Sequence, residues 1–348
     1  MNYRNLKNAS STEPPVVVIT GAGAGVGRAT VQQFARNGAR LGLIGRDQSR
    51  LEQAANEVRH LGGEAVIAAT DVADADQVEA AAVRIEAVFG PIDIWINNAM
   101  ATIYSPFHKI SAEDYKRATE VTYLGTVYGT MAALKRMTAR NHGIIIQVGS
   151  ALAYRAIPLQ SPYCGAKFAI RGFTDALRSE LLHDRSKVRL TMVHMPALNT
   201  PQFDWGKNHM PTRPQPVPPI FEPEMAAKAI YWASRHKRRE VYVGWPTWKA
   251  IWANKFVPGL IDRYLARTGY EGQQSKLPAD PSKPNNLWEP VEGDFAAHGR
   301  FDKCAKPGTA QLWLTLYREP VTLALLAAGL WACWRLRSNS IRLKNTER

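Results

Sequence analysis

The sequence predicts an α/β protein, a Rossmann-type doubly wound parallel sheet in a single domain with a helical and irregular C-terminal extension. Three observations carry that expectation. Short apolar, β-branched runs alternate with helix-periodic stretches from residue 16 to residue 244, the pattern of strands joined by crossover helices. The first run, VVVIT at 16–20, leads into the glycine-rich TGAGAGVG at 20–27, which reads as strand, tight turn and helix. At 348 residues the chain can bury a sizeable core and still carry an extension.

The elements follow in order. After the strand at 16–20, helical spacing resumes from Val26 to Arg36. LGLIG at 41–45 is the second strand, and a helix from Gln48 to Leu61 is stopped by Gly62 and Gly63. A strand follows at 65–69, and the apolar runs at 92–96 and 144–148 flank one long helix between about Ala112 and Arg140. A helix over 162–183, a strand over 188–193, a helix over 224–234 and a last strand over 240–244 complete the domain. The expected boundaries are a flexible N-terminal arm at 1–13, a dinucleotide-binding catalytic domain at 14–245, a Trp/basic then Pro-rich extension at 246–310, and an apolar helix with a basic tail at 311–348. The stretch 270–310, polar and broken by five prolines, reads as an irregular tail.

Composition narrows the function classes. A hydrophobic content of 45% is ordinary, but the net charge of +14 points to anionic partners: cofactor phosphates, anionic lipid or nucleic acid. No aromatic-basic RNA motif or zinc-finger spacing accompanies the charge, so nucleic acid is not an expected partner. Cys164, Cys304 and Cys333 are odd in number and far apart, and His108, His194 and His209 lack ligand spacing, so neither a disulfide framework nor a metal site is expected. The first 15 residues lack an apolar segment, which suggests a cytoplasmic catalytic domain.

Two patterns carry chemistry. In TGAGAGVG, Gly21, Gly25 and Gly27 let the strand turn sharply and bring free N–H groups to a pyrophosphate, with Val26 opening the helix. In YCGAK, Tyr163 and Lys167 stand four apart and share one helix face. A free tyrosine titrates near pH ~10, and a neighbouring cation lowers that value, making the pair a general acid/base; Ser150 upstream can hold the substrate oxygen. Arg46 follows the second strand, where a guanidinium suits the 2′-phosphate of NADP(H). Asp47 follows it and Ala24 adds no second base, which leaves NAD(H) as the alternative.

These residues resemble the short-chain dehydrogenase/reductase superfamily in its single-domain form. TGAGAGVG is similar to its cofactor motif, DV at 71–72 to its adenine-contacting step, NNA at 97–99 to its fourth-strand motif, and Ser150 with YCGAK to its catalytic core, over roughly 14–245. The resemblance implies that Tyr163 is the acid/base and that Lys167 holds the nicotinamide ribose. It also implies that Ser150 orients the carbonyl or hydroxyl, Asp71 and Val72 meet adenine, Asn98 and Ala99 line the ribose, and Thr200 sits near the carboxamide. The chain departs from the family pattern at Met100, in place of a glycine, at Ala197, where a glycine usually follows the proline, and at Thr122, in place of an asparagine associated with proton relay.

Prolines at 211, 214, 216, 218 and 219 fall where the family's substrate loop lies, and Phe203, Trp205, Met210 and Phe221 give it an apolar lining. The expected activity is hydride transfer between NADP(H) and a small apolar alcohol or ketone. The alternative is a dinucleotide-binding regulatory module with little catalysis, and a third reading is a membrane-associated scaffold. VTLALLAAGLWACW at 321–334 spans 14 residues, about 21 Å as a helix against a hydrocarbon core of about 30 Å. Residues 245–252 and 321–344 are therefore candidates for lying on a membrane surface rather than crossing it, and packing on the domain or in a homo-oligomer is the alternative.

Overall fold

In the computed structural model, β1 (Val16–Thr20) runs through the middle of the molecule and alternates its side chains between two cores. Val17 and Ile19 face one core, Val16 and Val18 the other. A strand that is apolar on both faces must be covered on both. The structure describes residues 13–334 apart from 294, 320, 323–325, 327, 330, 332 and 333. Almost all of the expected N-terminal arm, much of the apolar run at 321–334 and the basic tail beyond it lie outside the described residues.

The chain continues through α1 (Gly25–Ala35), β2 (Arg40–Gly45), α2 (Gln48–His60), β3 (Glu64–Ala69), α3 (Ala75–Phe89), β4 (Ile94–Asn97), β5 (Ile103–Tyr104), α4 (Ala112–Thr119), α5 (Gly125–Ala139) and β6 (Ile144–Ser150). Then come α6 (Ser161–His183), β7 (Arg189–Met195), a short α7 (Gln202–Trp205), β8 (Lys207–Asn208), β9 (Thr212–Pro214), α8 (Pro223–Arg235) and β10 (Glu240–Tyr242). Seven strands form one sheet in the order β10-β7-β6-β4-β1-β2-β3, every neighbour parallel. α1, α2 and α8 cover one face and α3, α5 and α6 the other. This is the doubly wound sheet expected from the alternating pattern. Its strand order reverses between β1 and β4, and that switch point opens a crevice at their C-terminal ends.

Two features depart from the sequence reading. α3 has no counterpart there, because its buried face is built partly from alanines, Ala81 and Ala82 beside Val78 and Ile85, which give little hydrophobic contrast. Its start is fixed by Asp74, whose carboxylate accepts from the N–H groups of Asp76 and Gln77. The single helix expected over 112–140 is instead two, separated by a wide π turn at Glu120–Leu124. At that turn the Thr122 hydroxyl donates to the Ala101 carbonyl and lies in hydrogen-bond reach of the Ala101 N–H, both at 3.0 Å.

The extension comprises α9 (Trp245–Phe256), α10 (Pro258–Thr268), β11 (Gln274–Pro278) and α11 (Ala310–Leu316). β11 pairs antiparallel with β9. The stretch from 279 to 309 has little regular structure, yet Leu287, Val291 and Ala297 are buried. It is packed onto the domain. α11 lies against α8, with Leu312 buried and the Trp232 indole donating to the Leu316 carbonyl at 3.1 Å. No described helix is long and apolar enough to cross a membrane.

Candidate active site

The turn after β1 is built by glycine where nothing else fits. Gly21 has φ +66° and Gly25 φ +56°, backbone that side chains rarely adopt. A Cβ on Gly27 would stand 1.9 Å from the Gly21 carbonyl oxygen, so the start of α1 packs directly on the turn. Asn98 ties β4 to this turn: its amide donates to the carbonyls of Thr20 at 3.0 Å and Gly21 at 3.3 Å. The Thr20 hydroxyl in turn accepts from the N–H groups of Asn98 and Ala99.

One cavity lies over this junction. Gly21, Gly25, Val26, Arg46, Asp71, Val72, Asn98, Ala99 and Thr200 line it, together with Met100, Arg50, Trp205, Asn286 and Pro290; Gly27 is packed behind the wall. The cavity lies at the N-terminus of α1, where the Gly25 N–H is taken by the Ala296 carbonyl at 2.9 Å and those of Val26 and Gly27 are left. It offers in Arg50 a guanidinium nitrogen (Nη1) that is buried and without a hydrogen-bond partner. These residues fit a dinucleotide: a glycine cradle, a helix N-terminus and a guanidinium with one donor unpartnered.

Ser150 ends β6, and Tyr163 and Lys167 occupy the first two turns of α6. The Lys167 ammonium lies 5.4 Å from the Tyr163 ring centroid and donates to the Val148 carbonyl at 2.7 Å. The Ser150 hydroxyl accepts from the Leu152 N–H at 3.1 Å. Burial pushes the Tyr163 phenol up to about 12, the Ser150 hydroxyl working in the opposite sense by favouring phenolate. Burial also brings the Lys167 ammonium down to about 8. Ser150, Tyr163 and Lys167 gather at one point but do not themselves line the cavity over the glycine turn. Behind Ser150 stands a polar cluster that the sequence did not announce. The His194 ring nitrogen Nδ1 is 3.3 Å from the Ser150 carbonyl, and the Tyr154 and Tyr242 phenols donate to Glu240 at 2.7 and 2.5 Å. His194, pushed down to about 4 chiefly by burial, is neutral there.

Arg46 and Asp71 are engaged by other parts of the chain. Arg46 donates to the carbonyls of Asn286, Leu287 and Trp288 in the extension. Asp71 pairs with Arg117, whose Nε donates to the Leu287 carbonyl at 3.2 Å. Asn199, beside Thr200, donates to Asp302 at 2.7 Å and accepts from the Phe301 N–H at 3.0 Å. Arg50, Arg117 and residues 286–302 were all missed by sequence reasoning.

Comparison with known proteins points one way. A family model described as short chain dehydrogenase matches residues 15–208. An uncharacterized oxidoreductase of Bacillus subtilis is 30% identical over 324 residues, 91% of this chain and 89% of that protein. A 3-dehydrosphinganine reductase of Danio rerio is 29% identical over 222 residues, 62% of this chain and 66% of its own. Among solved structures, an alcohol dehydrogenase from the archaeon Thermococcus sibiricus, complexed with 5-hydroxy-NADP, aligns with a TM-score of 0.57 and 26% identity. It covers 66% of this chain and 96% of its own.

Proposed function

Because this chain belongs to the short-chain dehydrogenase family and is an oxidoreductase acting on CH–OH and C=O groups, we propose that it uses NADP(H) and interconverts an apolar ketone and its alcohol, with Tyr163 as the acid/base. The observation that carries this reading is the convergence of Ser150, Tyr163 and Lys167 beside a glycine-cradled cavity. Gly21, Gly25, Val26 and Gly27 would receive the pyrophosphate, Asp71 and Val72 the adenine side, and Asn98, Ala99 and Thr200 the nicotinamide half. At the other end Arg46 is engaged by the extension, and the guanidinium of Arg50, with one nitrogen unpartnered, favours NADP(H) over NAD(H). When bound, the nicotinamide supplies or accepts the hydride.

The chain's own residues handle the proton. In reduction the Ser150 hydroxyl and Tyr163 phenol donate to the substrate carbonyl, and the phenol proton moves to that oxygen as it becomes an alcohol. The Lys167 ammonium stabilises the phenolate left behind. Oxidation runs the same proton back. Phe203 and Phe221 are packed into the interior, Phe203 against Tyr104 and Phe301 and Phe221 in the core beside the sheet, rather than lining the cavity. The apolar class therefore rests on the composition of the segment after β7 and on the similarity to a 3-dehydrosphinganine reductase. Assay of a chemically diverse ketone and alcohol panel with both nicotinamide cofactors tests the proposal. Turnover of apolar ketones with NADPH is expected; nucleotide binding without any hydride transfer would favour the regulatory-module reading instead.

The pH profile follows from the lysine. Its value lies below that of a free lysine, so the ammonium is present below about pH 8 and lost above it, while the phenol remains protonated to about 12. Carbonyl reduction is therefore expected to be level below the lysine's value and to fall above it. A Lys167→Arg variant, charged throughout the accessible range, should lose that break at reduced turnover; a break that persists would assign it to another group.

A second reading concerns α9. Trp245, Trp248, Trp252 and Phe256 follow one another with ring centroids 5.2, 5.3 and 5.8 Å apart, the first and last pairs stacked and the middle pair tilted, and all are exposed. Lys249 and Lys255 stand over the Trp245 and Trp252 rings. Such an aromatic and cationic face suits the interface of an anionic bilayer. Sedimentation with phosphatidylserine-containing vesicles is expected to carry the wild type down and to leave the W248A/W252A variant in solution. Equal behaviour of the two, or a dimer that buries this face, would remove the membrane reading.

A further inference from the structure

Residues 286–293 and 295–297 lie against the cavity as a strap. At one end Arg46 donates to the carbonyls of Asn286, Leu287 and Trp288, and Arg117 to that of Leu287, whose side chain is fully buried. At the other end the Ala296 carbonyl accepts from the Gly25 N–H at 2.9 Å, and Ala297 packs on Ala29 and Ala227. Asn286 at the first anchor and Pro290 beyond it face the cavity. The strap lies beyond residue 208, where the family match ends.

Arg46 therefore has its donors directed at main-chain oxygens. Arg50 does not. Its guanidinium lies against both Trp205, at 4.8 Å, and Phe295 of the strap, at 5.7 Å, two rings that meet edge to face at 4.7 Å. One nitrogen pairs with Asp47 at 2.6 Å, and the other, Nη1, is buried without a partner. The whole residue is only 6% exposed. A buried charged donor without an acceptor is costly, and an anionic oxygen arriving there relieves that cost.

We propose that the strap is a fixed wall of the adenosine subsite and that Arg50, held in place by Trp205 and Phe295, is the residue that recognises the 2′-phosphate, while Arg46 serves to hold the strap. This rests on the NADP(H) reading above. In this chain cofactor discrimination is thus assigned to a guanidinium clamped by the extension rather than to the one that follows β2.

Isothermal titration with adenosine 2′,5′-bisphosphate and adenosine 5′-monophosphate separates the parts without any turnover. Arg50→Gln is expected to weaken the bisphosphate by about 10–100-fold, the loss of a charge-assisted hydrogen bond, and to alter the monophosphate little. Arg50→Lys should recover part of that loss. Arg46→Gln should weaken both nucleotides together and lower the melting temperature. Phe295→Ala, which frees the Arg50 side chain without touching its charge, should selectively weaken the bisphosphate. Selective loss of the bisphosphate in Arg46→Gln with none in Arg50→Gln would overturn the assignment. Tighter binding of both nucleotides in Phe295→Ala would make the strap an occluding lid and overturn the wall. Failure of the wild type to bind either nucleotide would instead overturn the underlying dinucleotide reading.

Discussion

Tyr163→Phe is expected to lower turnover by about 10²–10⁴-fold, the range over which a positioned acid/base contributes, while nucleotide affinity stays within a few-fold of wild type. The substitution removes one oxygen and keeps the ring. Lys167 remains held by the Val148 carbonyl at 2.7 Å, and Ser150 keeps its bond to the Leu152 N–H at 3.1 Å. Among the described residues the neighbouring groups are poorly placed to take over the proton: the Tyr104 phenol is fully buried and pushed well above its ordinary value by that burial. Cys164, the neighbouring thiol, is itself pushed up to about 11 by burial, and His194 is neutral and directed at the back of Ser150. Single-turnover hydride transfer, compared with nucleotide titration on the same preparation, reads the two effects separately. Turnover above about a tenth of wild type, well outside that range, would remove Tyr163 from the acid/base role. Loss of nucleotide affinity in parallel would show that the phenol hydroxyl serves nucleotide binding and not the proton transfer alone.

The sheet was legible because its signal is local. VVVIT and LGLIG each announce a buried strand within a few residues, and the glycines between strand and helix announce the turn. Tyr163 and Lys167 were legible for a similar reason, since helical spacing places i and i+4 side by side. Arg46 could be located but not understood. The carbonyls it holds belong to residues 286–288, with 241 positions separating Arg46 from Leu287. No periodicity encodes a contact of that reach. The proline-broken stretch carried the composition of a tail, yet its few apolar residues, Leu287, Val291 and Ala297, land on buried sites. Composition averages over a segment, whereas packing depends on three or four positions within it. The same holds at Thr122, where a single hydroxyl bonded to Ala101 accompanies the wide turn that interrupts an otherwise helical pattern.

Gly27→Ala is expected to weaken nucleotide binding on the order of 100-fold, the equivalent of a few kcal/mol of overpacking, and to lower the melting temperature. The new Cβ would meet the Gly21 carbonyl oxygen at 1.9 Å, the Gly21 carbonyl carbon at 2.7 Å and the Asn98 amide nitrogen at 2.7 Å. None of these can yield cheaply. The Gly21 backbone is locked at φ +66°, and the Asn98 amide is already bonded to the carbonyls of Thr20 and Gly21. Relief requires α1 to retreat from the turn, which withdraws its N-terminal N–H groups from the place a pyrophosphate would occupy. Gly23→Ala supplies the contrast within the same motif. There the added Cβ meets the Arg50 Cβ at 3.1 Å and the position carries no left-handed φ, so a shift of a few tenths of an ångström accommodates it. Calorimetric titration of both variants with adenosine 5′-diphosphate, which lacks the 2′-phosphate assigned to Arg50, with circular dichroism to verify the fold, compares a methyl that displaces a helix with one that nudges a side chain. Equal affinities in the two would mean that helix–turn contact is not what positions the anion, and that the free N–H groups of α1 are not the pyrophosphate site.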